Sequence, residues 1–130
     1  MKLSEIYNKY PTQKICIEQL ENLIWADYPR CPHCGYQKYT PLRNENRYHC
    51  NICNVAFSVT VRTMFHKTRV DLQKWFYVID QLLNTDRKIT DRGLAGEINV
   101  TKDTAWRMIN AVTGEIGKSE LIYKIAELVK

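Results

Sequence analysis

Cys31-Pro32-His33-Cys34 and Cys50-Asn51-Ile52-Cys53 decide how this chain folds. Each is a C-x2-C pair, and fifteen residues lie between them, the spacing of a four-thiolate zinc site. Gly35 directly after the first pair suits such a knuckle, because a backbone that turns its amides toward sulfur often needs positive φ there. His33 and His49 stand beside the cysteines, but four thiolates already complete a tetrahedron, so both histidines read as surface or supporting residues. The chain has five cysteines. An odd number with four in tight pairs argues for a reducing compartment and a bound metal, leaving Cys16 as a small buried hydrophobe.

Around these pairs, short β-prone pieces alternate with polar turns. Tyr36–Tyr39, Arg47–Cys50 and Ala56–Val61 are expected as three antiparallel strands, the first two joined by the turn Arg43-Asn44-Glu45-Asn46. Upstream, Thr12 caps an expected helix over 13–24, with Ile17, Leu20 and Ile24 on one face. Pro11 precedes it and Asp27-Tyr28-Pro29 ends it. The net charge is +5, and its placement is uneven. Residues 30–69 carry seven Lys or Arg against one acidic residue, while the rest of the chain is close to balance. Four thiolates and one Zn²⁺ would contribute about −2 there, which leaves a basic surface suited to phosphate. Arg43, Arg47, Arg62, Lys67 and Arg69 are its candidates.

From Asp71 the pattern becomes helical. Leu72, Trp75, Phe76, Ile79, Leu82 and Leu83 give one broad apolar face, with Asp71 as the expected cap and Trp75 and Phe76 as core. Further on, Leu94 and Ile98 line a short helix, Asn99 supplies a turn, and Thr101 caps a second helix with Ala105, Met108, Ile109 and Val112 inside. Small Ala95 and Ala105 permit the close crossing of a helix-turn-helix. In that motif the second helix enters the major groove, so Thr101, Lys102, Asp103, Arg107 and Asn110 are the candidates for DNA contact. Trp106 reads as a packing residue between helices, with a place facing the DNA backbone as the alternative. Ser119 is the expected cap of a last helix carrying Leu121, Ile122, Ile125, Leu128 and Val129.

Size and composition bound the rest. A chain of 130 residues makes one ordinary domain or two very small ones, and a metal clip supplies what a small core lacks. No run of eighteen apolar residues occurs, so no membrane span is expected. No apolar stretch follows Met1-Lys2-Leu3-Ser4-Glu5-Ile6, so no secretory signal is expected and a cytoplasmic location follows.

In order along about residues 5–115, the chain resembles the N-terminal part of transposases of the insertion-sequence IS1595 type. The resemblance rests on Trp25 before Cys31-Pro32-His33-Cys34-Gly35 and on Tyr48-His49-Cys50-Asn51-Ile52-Cys53 followed by Phe57-Ser58. It continues through Thr63-Met64-Phe65, Lys74-Trp75-Phe76 and Lys102-Asp103-Thr104-Ala105-Trp106-Arg107. One departure stands out: the family's exit segment reads T-G-T, and Val61-Arg62-Thr63 lacks the glycine, which implies a changed bend. Family members also continue into an RNase-H-like catalytic domain with two Mg²⁺ ions, which these residues do not supply.

The resemblance implies binding of transposon-end DNA by the ribbon and the helix-turn-helix. The expected architecture is α+β. Residues 1–69 form an N-terminal helix with a four-Cys zinc ribbon of three short strands, and residues 70–130 form a helix-turn-helix domain with a C-terminal helix. The expected function is zinc-dependent, sequence-specific binding of double-stranded DNA, without catalysis or a small-molecule substrate, by a stand-alone regulator or end-binding protein of a mobile element or phage. A palindromic target would imply a homodimer. The alternatives are a zinc-ribbon module that binds protein and the DNA-binding fragment of a longer transposase.

Overall fold

A computed structural model of the chain describes residues 1–26, 28–42 and 46–130. These residues hold six helices and three strands, an α+β architecture, and they divide into two compact units. One is Thr12–Arg69; the other joins Met1–Pro11 to Val70–Lys130. The expected N-terminal unit of residues 1–69 therefore differs at its start: residues 1–11 belong with the helical part. They form a helix, α1 (Leu3–Lys9), that the apolar periodicity does not reveal because Ile6 is its only buried residue.

The first unit opens with α2 (Gln13–Ile24), where Thr12 Oγ1 accepts the Ile15 N–H at 3.2 Å as expected of the cap. Cys16 and Leu20 are its buried residues. The helix closes at Trp25, and Ala26 turns the chain with φ 59°. Asp27, expected to help end the helix, and most of the turn Arg43-Asn44-Glu45-Asn46 lie outside the described residues.

Three antiparallel strands follow in the order β1 (Tyr39–Pro41), β2 (Tyr48–Cys50) and β3 (Ala56–Phe57). The register pairs Tyr39 with Cys50, Pro41 with Tyr48, and Tyr48 with Phe57. Pro41 sits on an edge strand, where its missing N–H removes no ladder bond from the centre. The strands are shorter than the patterning suggests, and the first lies later, at Tyr39–Pro41 rather than Tyr36–Tyr39. β3 stops at Phe57 because Ser58 Oγ and Thr60 Oγ1 pair at 2.9 Å and Val61 N–H returns to the Ser58 carbonyl, converting the chain into turns.

Aromatic rings fill the space that so small a sheet leaves. Trp25 meets Tyr48 and Phe57 edge-on at centroid distances of 5.6 and 5.9 Å, and Tyr39 meets Tyr48 at 5.5 Å. The Tyr48 hydroxyl donates to Glu21 at 2.6 Å, tying β2 to α2. Burial and that carboxylate both raise the Tyr48 pKa, so the hydroxyl stays a donor.

The second unit is built on α3 (Leu72–Leu83), which is buried on almost every side, Trp75 and Phe76 included. A helix enclosed on nearly all sides is the central one of its unit, and its buried Gln73 and Asp80 each make hydrogen bonds. Against it lie α1 and two of the three later helices: α5 (Lys102–Glu115) and α6 (Glu120–Leu128), with α4 (Asp91–Ile98) packed on α5. Tyr10 packs edge-on against Phe76 at 5.7 Å, and Gln73 Nε2 donates to the Tyr10 carbonyl at 2.8 Å. Buried Asp80 accepts from Asn84, Gln81 and the Met1 amino group, which offsets the cost of burying its charge.

Two expected caps differ. Asp71 stands at the N-cap of α3, but its carboxylate accepts the Tyr7 hydroxyl at 2.9 Å and makes no cap bond. Ser119 stands at the N-cap of α6 and likewise makes none. Among the described residues, no helix is long and apolar enough to cross a membrane.

Candidate functional site

The two C-x2-C segments fold as copies of one another. In the first, Gly35 N–H donates to the Cys31 carbonyl at 2.8 Å and Cys31 N–H to the Tyr36 carbonyl at 3.1 Å. In the second, Asn54 N–H donates to the Cys50 carbonyl at 2.9 Å and Cys50 N–H to the Val55 carbonyl at 3.0 Å. Each loop is closed by a residue in the left-handed region, Gly35 at φ 77° and Asn54 at φ 59°. Gly35 was legible from the sequence. Asn54 holds the equivalent place after the second pair, and asparagine is among the few side chains that tolerate that backbone.

These loops bring all four cysteines together, with their sulfur atoms within 4.8 Å of one another. Cys31 Sγ lies 3.5 Å from Cys53 Sγ, and Cys34 Sγ lies 3.5 Å from Cys50 Sγ. Cys31 and Cys50 are buried, and the backbone N–H of His33 points at Cys31 Sγ from 3.4 Å. The His33 side chain is exposed, and His49 occupies β2, paired with Thr40 and Ala56.

The electrostatics of this cluster favour a bound cation. The Cys53 and Ile52 amides pull the Cys50 thiol down to about 6, while burial and hydrogen bonds to the neighbouring thiols push Cys53 up to about 12. One thiolate forms readily while its neighbour keeps its proton, and a cation among the four sulfurs would displace that proton. Four soft donors drawn from two loops fit a tetrahedral ion such as Zn²⁺, held by Cys31, Cys34, Cys50 and Cys53. The metal would supply folding energy and cross-link α2's neighbouring loops to the sheet.

The basic candidates of this unit lie on its surface. Arg47 is exposed just before β2, and Arg62, Lys67 and Arg69 are exposed in the turns after β3. Arg43 lies outside the described residues. Arg62 and Lys67 both take positive φ, 66° and 59°. At Arg62 the missing glycine was expected to change the bend; instead the arginine itself occupies the backbone region that glycine adopts without steric cost.

In the helical unit, α4 ends at Asn99, whose φ of 56° and ψ of 56° match the expected turn. Three residues separate α4 from α5, and Thr101 Oγ1 accepts the Thr104 N–H at 3.2 Å as the cap. That hydroxyl also donates to Thr104 Oγ1, so Thr101 serves the helix first. Leu94, Ile98, Ala105, Met108 and Val112 are buried between the elements. Opposite them, Lys102, Asp103, Arg107 and Asn110 are exposed on one face of α5. Lys102 Nζ lies 4.0 Å from Asp91 at the start of α4, whereas among the described residues Arg107 and Asn110 make no side-chain hydrogen bond.

Trp106 differs from expectation. It is 58% exposed and packs between no helices. The helical period carries the signal: the buried positions 105, 108 and 112 cluster on one side, and position 106 falls on the stripe of Lys102 and Asn110.

Comparison with known proteins places these features. Residues 11–55 match the family described as the transposase zinc-ribbon domain. An uncharacterized protein in the transposable element ISH50 of Halobacterium salinarum is 29% identical over 93 residues. That alignment takes in 69% of this chain and 31% of the relative, so the chain spans about a third of the length of the protein it matches. No solved structure matches. The four-cysteine geometry and the matched span agree: residues 11–55 are similar to the transposase zinc-ribbon domain and hold the four cysteines that could bind a metal ion.

Proposed function

We propose that this chain is a zinc-dependent, sequence-specific binder of double-stranded DNA, acting at transposon ends or as a regulator derived from a mobile element. The observation that carries the reading is the outer face of α5. Lys102, Asp103, Arg107 and Asn110 stand exposed on a helix that follows a three-residue turn, while its opposite face packs on α4. This is the form in which a helix-turn-helix offers its second helix to the major groove. Arg107 suits guanine, whose O6 and N7 accept a bidentate fork, and Asn110 suits adenine N6 and N7. Lys102, Arg47, Arg62, Lys67 and Arg69 suit phosphate, and in this reading they orient the protein while α5 specifies the sequence.

The role assigned is binding, and neither nuclease nor strand-transfer activity is expected of these 130 residues. A palindromic site would call for a homodimer with half-sites about one helical turn apart. A second reading, the DNA-binding part of a longer transposase, is favoured by the 31% coverage of the ISH50 relative. It assigns the same surfaces the same task. The cytoplasm is the compartment that reduced thiols and a DNA target call for.

The test is selection from a randomised duplex pool by the zinc-loaded protein, with the retained DNA sequenced at two salt concentrations. A defined motif, with affinity falling steeply as salt rises, is the expected result. Salt-sensitive retention without a motif would reduce the function to backbone binding. Absence of retention at both salts would overturn the reading in favour of a protein partner for the ribbon.

A further inference from the structure

Trp106 does nothing for the fold that its position explains. The core side of α5 is supplied by Ala105, Met108 and Val112, each 1% exposed or less, while the Trp106 indole is 58% exposed. A large ring held in water on a helix face otherwise bearing Lys102, Asp103, Arg107 and Asn110 is available to whatever that face meets. Its place on the helix says which contact. Trp106 follows Lys102 by four residues and precedes Asn110 by four, so the three form one stripe with about one turn between successive members. Flanked by Arg107 and Asn110, the two residues assigned to base edges, its ring lies toward the groove they would enter.

We infer that Trp106 is a specificity-determining residue whose indole packs against the 5-methyl group of a thymine in the major groove. This rests on the DNA-binding reading of α5. The chemistry selects the target: base edges in the major groove present donors and acceptors, which suit Arg107 and Asn110, and one apolar group, the thymine methyl. An indole can give a phosphate one hydrogen bond through Nε1, which leaves its apolar face in water, and it cannot make the bidentate bonds of Arg or Asn. Against a methyl it removes apolar surface from water on both sides. Trp106 therefore adds a preference for A·T pairs beside the positions read by Arg107 and Asn110.

The test uses the whole zinc-loaded chain and the duplex motif recovered by selection. Each thymine is replaced in turn by deoxyuridine, which deletes only the methyl, and affinity is measured by anisotropy for the wild type, Trp106→Ala and Trp106→Phe. The wild type is expected to lose about fourfold at one thymine, the value of one buried methyl group. Trp106→Ala should bind the thymine duplex about tenfold more weakly, and equally to thymine and uracil at that position. Trp106→Phe should keep part of the discrimination. The salt dependence of Trp106→Ala should match that of the wild type, because no phosphate contact is removed. Its unfolding midpoint should also match, since the ring is exposed.

A motif without thymine, a wild type indifferent to every methyl, or a Trp106→Ala protein that keeps the discrimination would overturn the assignment while leaving DNA binding intact. A wild type that retains no duplex at all would remove both the assignment and the reading beneath it.

Discussion

At the scale of single residues, the ribbon is controlled by backbone sign. Gly35 and Asn54 close equivalent loops with positive φ, and Arg62 adopts the same region beyond β3. A β-carbon in that region costs about 1–2 kcal/mol. No atom lies within 4 Å of where a Gly35 β-carbon would stand, so Gly35→Ala should cost about that backbone amount and nothing for sterics. Urea unfolding of the zinc-loaded protein measures it. Arg62→Gly should act in the opposite direction, stabilising the ribbon by about 1 kcal/mol through relief of the same strain. If Arg62 meets phosphate, that variant should bind DNA more weakly, with a salt slope reduced by about one. Arg62→Ala then separates the effects, since it removes the charge without relieving the backbone. On the proposed reading, the strain at Arg62 is offset by a charge that meets phosphate. A stabilised Arg62→Gly protein with unchanged DNA affinity would contradict that account.

At the scale of elements, α3 and α4 are joined by a polar clasp. The Tyr77 hydroxyl of α3 and the Arg87 guanidinium both donate to Glu97 of α4. Arg87 holds the Glu97 carboxyl below its ordinary value, with the Tyr77 hydroxyl adding to the effect. Because the folded pKa is depressed, the folded state binds fewer protons than the unfolded chain. This contribution is complete above about 4.5, the ordinary value, and fades as pH falls through the folded value. Glu97→Gln should therefore lower stability at neutral pH, by less than about 1 kcal/mol for so exposed a pair, and flatten the acid limb of the curve. Equal acid slopes in the two proteins would dismiss the clasp. Nothing in the sequence announced it, because Tyr77, Arg87 and Glu97 share no period and meet only when α4 docks. The elements themselves were more legible. Thr12 and Thr101 cap as their spacing suggests, since each hydroxyl needs only an amide three residues on. Asp71 and Ser119 do not, and for Asp71 a distant hydroxyl, Tyr7, competes for the carboxylate. Strands were the least legible, because a ribbon held by sulfur and aromatic rings needs few ladder bonds to persist.

For the whole molecule, the sources of stability differ between the two units. The helical unit rests on conventional burial around α3, with Phe76, Ile79, Leu94, Ile98, Met108, Ile122 and Ile125 all fully enclosed. That core was readable from helical periodicity, apart from α1, whose tie to α3 runs through Tyr10 and Gln73 rather than through an apolar stripe. The ribbon buries far less. The cluster at the metal site is Cys31, Cys50 and Phe57 with Trp25, Tyr39 and Tyr48 partly enclosed, so two of its three buried members are themselves metal ligands in the proposed site. Cys16, Leu20, Val59 and Phe65 are the other buried apolar residues of the unit. Removing the ion would leave four thiols crowded within 4.8 Å, with opposed ionisation and little apolar area to hold them. Chelation of the zinc-loaded chain should therefore unfold Thr12–Arg69 while Met1–Pro11 and Val70–Lys130 stay folded. Hydrogen exchange read residue by residue checks this. Protection should vanish at Cys50 and Asn54 amides and persist at those of Val78 and Ile79. Restored zinc should recover the ribbon, and Cys50→Ser should mimic chelation without it. Concerted loss of protection in both units would mean that they fold as one, whereas a ribbon that keeps its protection without metal would return the four cysteines to the role of an ordinary small core.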